Sequence, residues 1–199
     1  MSKLLAVAFA AVILSASATG AFSQTPAADH TPPSYDLKPQ SLLDLENVQK
    51  KFVALANALP EKKLTWRPAP DARSFAEVFL HVSGERYGFM QLMGIQPPAG
   101  FDAKTFEKST TDRAKIVEEL NKSWEFTKAA ITAMTNADFA KPLPKLGPDA
   151  NEGDVVYLLV SDAHEHLGQS VAYARENGIV PPWTVEAQKQ AAEKKGQQK

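Results

Sequence analysis

The chain has 199 residues, 44% of them hydrophobic and 23% charged, with a formal net charge of -1 and no cysteine. That length can bury a core without covalent staples, and the missing thiols exclude disulfides, thiolate metal ligands and a cysteine nucleophile. The near-neutral balance argues against nucleic acid as a partner, which is usually announced by a strong basic excess.

The N-terminus reads as a secretory signal over residues 1–23. Lys3 gives the positive start, residues 4–14 (LLAVAFAAVIL) the apolar run, and SASATGAFSQ the small-residue exit, with cleavage after Ala18, Ala21 or Ser23. The apolar run is shorter than the roughly 20 residues of a membrane span. The expectation is therefore an exported protein, periplasmic or secreted, with no stable membrane insertion after cleavage. Residues 24–40 are rich in proline and polar residues and read as a linker, in which His30 is incidental.

Ser41 and Asp44 have the spacing of a helix cap, and Leu45, Val48, Phe52, Leu55 and Leu59 follow at steps of three and four, ending at Pro60. Residues 61–73 form a connector whose Trp66 is expected to pack as a lid on the core. A second helix is predicted over 74–93, opened by the capping box Ser74/Glu77 and closed by Gly94 and Pro97. Gly84 and Gly88 lie on one side of it, a costly choice inside a helix unless something approaches closely. A third helix is predicted over 111–136, with Ile116, Leu120, Trp124, Thr127, Ile131 and Met134 on one face. After a proline-rich loop, Asn151 and Asp154 open a fourth, reaching Asn177. The charged residues 184–199 are expected to be a frayed tail. No strand pattern and no phosphate-loop or nucleophile-elbow motif competes, so the fold class is all-α, a four-helix bundle over 41–183.

Polar residues interrupt two of these helices. Residues four apart share a helical face, which aligns Glu77, His81 and Glu85 on the second helix and Asp162, His166 and Gln169 on the fourth. If the faces meet, imidazoles and carboxylates converge in an apolar interior, a nitrogen and oxygen donor set suited to zinc, nickel or iron. Against this stand plainer roles: Glu77 as a cap, His81 as a satisfied core histidine, and Asp162 as an ion-pair partner. Gly168 beside His166 suggests room for a ligand, and Gln169 can orient one. His164 points about 200° away from Asp162 and is a spectator.

The stretches WRPAPDARSFAEVFLHV (66–82) and HLGQSVAYARENGIVPPW (166–183) resemble the DinB-like superfamily of four-helix-bundle proteins. The resemblance extends over 41–183 and implies a divalent-metal site of three histidines, one from the second helix and an HxxxH pair just before a GQ on the fourth. Carried onto this chain, those positions are His81, Asp162 and His166, with aspartate standing where the family pattern has histidine. Relatives of this kind include metal-dependent hydrolases and thiol-dependent transferases. The resulting expectation is a divalent ion, zinc or nickel foremost, held by His81, Asp162 and His166 as the resemblance implies; as an enzyme the chain would use Glu77 or Glu85 as base on a small-molecule substrate. The alternative expectation is a non-catalytic module of the cell envelope that binds a metal or a small ligand; either form is compatible with a homodimer.

Overall fold

The computed structural model describes residues 36–197, so the signal segment, His30 and most of the linker lie outside the described residues. Six helices follow in chain order: α1 (Leu37–Ala58), α2 (Phe75–Leu92), α3 (Arg113–Ala133), the short α4 (Asn136–Phe139), α5 (Glu152–Glu176) and α6 (Pro182–Gln197). Among the described residues there is no strand, only an isolated bridge between Pro142 and Asn151. No described helix is long and apolar enough to cross a membrane.

Four long helices make the bundle, and their neighbours are not those of chain order. α1 packs against α3 and α5, and α2 also packs against α3 and α5, so α1 and α2 stand on a diagonal. Phe52 and Phe79 meet across that diagonal with ring centroids 6.1 Å apart, edge to face. The apolar stripe of α1, Leu45, Val48, Phe52 and Leu55, is buried as its spacing requires. α2 is buried on more than one side: Phe75, Val78, Phe79, Leu80, Val82 and Met90 are all inaccessible. A helix apolar all round belongs in the middle of a core, and this one supplies half of the polar site.

Two helix starts follow the predicted capping boxes. Ser74 Oγ accepts from the Glu77 amide while the Glu77 carboxylate accepts from the Ser74 amide, and Asn151 and Asp154 do the same for α5. Two expectations need correction. α1 begins at Leu37, capped by Asp36, a turn before Ser41; Ser41 is buried inside the helix, and residues 37–40 are helix rather than linker. The tail predicted to fray is helical through Gln197 although none of α6 is buried. Its run of Ala, Glu, Gln and Lys has high intrinsic helix propensity, and near its start Lys51 Nζ lies 5.8 Å from the centre of the Trp183 ring.

Candidate metal centre

The facing sides of α2 and α5 bring four titratable groups together. One turn of α2 separates His81 from Glu85, and one turn of α5 separates Asp162 from His166. The two imidazoles meet edge to face at 4.7 Å between centroids. His81 Nε2 is 3.1 Å from Glu85 Oε1, and His166 Nε2 lies 3.3 Å from Asp162 Oδ1 and 3.9 Å from Glu85 Oε2. One ligand atom each from His81, Glu85 and His166 falls within 4.8 Å of the others.

The back of each imidazole is already occupied. His81 Nδ1 sits 3.3 Å from Glu107 Oε2, and the same oxygen is held by Arg73 Nε at 3.0 Å. His166 Nδ1 lies 2.8 Å from Gln169 Oε1. Gln169 in turn donates from Nε2 to the Tyr173 hydroxyl at 2.9 Å, and Tyr173 is wedged edge to face against Trp66 and Phe75. Gln169 Oε1 and Glu107 Oε2 can only accept, as can ionised Glu85 and Asp162 on the Nε2 side; a cation between the two rings would leave each ring proton on Nδ1. With the proton there, each Nε2 would have its lone pair for a cation beside Glu85.

Burial and charge pull the two carboxyls apart. For Asp162, burial is the largest influence and, with the adjacent Glu85 carboxyl, raises its pKa despite His166. Burial also opposes ionisation of Glu85, yet hydrogen bonds from His81 and Asp162 and the field of the two histidines together hold its pKa below the ordinary value. His166 is disfavoured as a cation by burial, but bonds to Asp162 and Gln169 outweigh this and raise its pKa. Beneath the site, Arg86 is buried. Its Nη1 donates to Gln49 Oε1, the Leu120 carbonyl and Ser123 Oγ. Desolvation lowers its pKa to about 10, with the field of Asp162 opposing, so it is still a cation at neutral pH.

The donor set fits a divalent cation. Glu85 Oε2 is buried without a hydrogen-bond partner, an expensive state for a carboxylate oxygen, and it faces His166 Nε2. Two nitrogen donors and a carboxylate make a donor set of the kind that holds divalent first-row metals.

The model of the DinB superfamily matches residues 44–170, well over half of the chain. The chain belongs to the DinB superfamily. Solved structures share the fold at low identity. A conserved protein from Enterococcus faecalis is 15% identical, with 71% of this chain and 97% of that one covered at a TM-score of 0.61. A DinB-like protein from Bacillus cereus is 18% identical, with 73% and 93% covered at 0.59. YfiT from Bacillus subtilis, described as a probable metal-dependent hydrolase with an unusual four-helix bundle topology, is 15% identical, with 71% and 88% covered at 0.58. No curated protein matches the chain. At these identities the likeness establishes the fold alone.

Within this DinB bundle, His81 and His166 converge as the sequence pattern implies. The third convergent donor atom belongs to Glu85, which the sequence reading weighed as a base; Asp162 stands beside it, against His166. Glu77 is consumed by its cap and by Arg67, 2.9 Å away, and takes no part. His164 pairs with Asp44 at 2.9 Å on the surface, a spectator as expected. Trp66 is the lid foreseen, and its contact with Tyr173 steadies the residue that holds Gln169. Gly168 is exposed with open space around it, so the room it leaves is not at His166. Glu107 was missed: it lies in an irregular connection with no periodicity to give its facing, and only the folded chain sets it behind His81.

Proposed function

We infer that this protein is a divalent-metal-dependent hydrolase whose ion is held by His81 Nε2, His166 Nε2 and Glu85. The observation that carries the reading is the paired arrangement of the histidines: both Nδ1 atoms lie against oxygen acceptors, and both Nε2 atoms face the Glu85 carboxylate, His81 at Oε1 and His166 at the buried, unpartnered Oε2. Metal-binding histidines are oriented in just this way by a partner on the far nitrogen. The description of YfiT, a protein of the same fold, supports the same reaction class.

A divalent ion supplies Lewis acidity for polarising a carbonyl or activating water. The chain supplies the rest. Glu85, with its lowered pKa, stays ionised and gives the negative charge that the ion needs. Asp162, with its raised pKa, is the carboxyl suited to holding and releasing a proton beside His166. It takes this part in place of the histidine of the family pattern. Gln169 and Glu107 fix the two rings, and the aromatic packing of Trp66, Phe75 and Tyr173 excludes water from one flank.

The test is hydrolysis of a panel of uncharged esters and amides by the chain stripped with chelator and then reloaded with zinc or nickel. The reading expects turnover that appears on reloading and disappears in Glu85→Gln and Asp162→Asn. Turnover equal with and without metal rejects the metal's part in it; no turnover with any loaded sample while metal is bound rejects the enzyme and favours a binding module.

A further inference from the structure

α2 carries two glycines in its interior, each a poorer helix former than alanine, and they have different explanations. A Cβ on Gly84 would come 3.2 Å from Phe106 Cδ1, so this glycine lets the Phe106 ring lie on the helix. A Cβ on Gly88 would meet nothing within 4 Å. No packing requires the second glycine; what it leaves is space.

That space is a pocket of about 210 Å³ between α2 and the 101–107 segment. Its apolar walls are Leu80, Gly84, Gly88, Phe101, Ala103 and Phe106, and its polar end consists of His81, Glu85 and Glu107. The pocket therefore begins at two of the three groups that hold the ion. Its aromatic wall is firmly set: Phe101 and Phe106 lie 5.1 Å apart and both pack on Tyr87, which also meets Phe126 at 5.3 Å. Glu107, clamped by Arg73, ties the same segment to His81. An apolar cavity of about 150 Å³ accommodates benzene, so this one takes a single ring or a branched alkyl group with one or two further atoms. It is smaller than the roughly 300–1,000 Å³ of pockets for drug-sized ligands. Without an ion, Arg73 alone offsets Glu85 and Glu107 there, which disfavours anions in the metal-free pocket.

We propose that this pocket is the specificity pocket of the site and that it binds uncharged carbonyl compounds bearing one ring-sized apolar group, with Gly88 setting the size accepted. The orientation, carbonyl toward His81 and Glu85 and ring toward Phe101 and Phe106, rests on the metal-centre reading; the size selection does not.

The experiment measures binding of acetamide, benzamide and 2-naphthamide to the full chain by ligand-observed NMR, metal-free and with zinc, beside a separate zinc titration. Benzamide is expected to bind more tightly than acetamide and 2-naphthamide, by about tenfold or more, on the scale at which pockets discriminate apolar groups. Gly88→Leu should remove that preference while zinc affinity is retained, and Gly88→Ala should weaken it partly. Because leucine is a better helix former than glycine and the position is open, Gly88→Leu should melt no lower than the parent. Benzamide binding no tighter than acetamide, or unchanged by Gly88→Leu, overturns the proposal. A benzamide preference that persists when zinc fails to bind supports the pocket and rejects the metal centre, so the two failures are distinct.

Discussion

Gln169→Leu probes the metal centre without touching a residue that would contact the ion. The glutamine accepts from His166 Nδ1 at 2.8 Å and donates to Tyr173 at 2.9 Å, bridging the imidazole to the aromatic lid. Leucine fills much the same volume but offers no acceptor, so the His166 ring loses the partner that fixes its tautomer and angle. Asp162, 3.3 Å from Nε2, is then free to compete for the ring proton. Loss of such an orienting partner weakens metal affinity by about 10- to 100-fold, or about 1.4–2.7 kcal/mol. At a fixed zinc concentration well above Kd, the zinc-induced stabilisation falls by that amount, and for a chain of this size each kcal/mol moves Tm by about 2–4 °C. Differential scanning calorimetry with and without zinc should show the Tm gain shrinking by about 3–10 °C in Gln169→Leu, while Gln169→Glu, which keeps the acceptor, retains most of it. An undiminished zinc-induced gain in Gln169→Leu would refute the claim that Gln169 orients His166 for a metal.

Other consequences concern the frame. Ser74→Ala should lower stability by about 1 kcal/mol, a loss of about 2–4 °C in a thermal melt. The reciprocal half of that cap depends on pH. Burial works against the Glu77 carboxylate, but the Ser74 amide and Arg67 together lower its folded pKa. Its contribution is present above the unfolded pKa of glutamate and is lost as pH falls through the lower folded value. The Tm difference between the parent and Glu77→Gln should thus be constant near neutral pH and shrink in acid; a difference that stays constant in acid contradicts this. All described residues from Glu186 onward are exposed, so truncation after Glu186 should shift Tm by no more than about 2 °C. A larger fall would mean that α6 beyond Glu186 packs on something.

The long helices were legible because their signals are local. Ser74/Glu77 and Asn151/Asp154 marked two starts, and the stripe from Leu45 to Leu55 marked the face of α1. The start of α1 was misplaced because two cap patterns compete there; the one at Ser41 has good spacing, but Ser41 is wanted in the core and Asp36 caps instead. The helix in the tail was missed since hydrophobic pattern is silent where propensity alone acts. At the site, the four-residue rows placed His81, Glu85, Asp162 and His166 on the right faces. They could not decide which carboxylate lies between the imidazoles, because that depends on the rotation and height of α2 against α5. The diagonal placement of α1 and α2 and the return of Glu107 onto His81 are likewise products of long-range packing. No spacing within one helix encodes them.

The central claim is that His81, Glu85 and His166 hold one divalent ion. Isothermal titration of chelator-treated, untagged chain with zinc and nickel tests it most directly, with His81→Ala, Glu85→Gln and His166→Ala titrated alongside. The account predicts one ion per chain in the parent and an affinity lower by at least about 100-fold, or about 2.7 kcal/mol, in each variant. Zinc and nickel binding that is absent in the parent, or equally strong in all three variants, would contradict it.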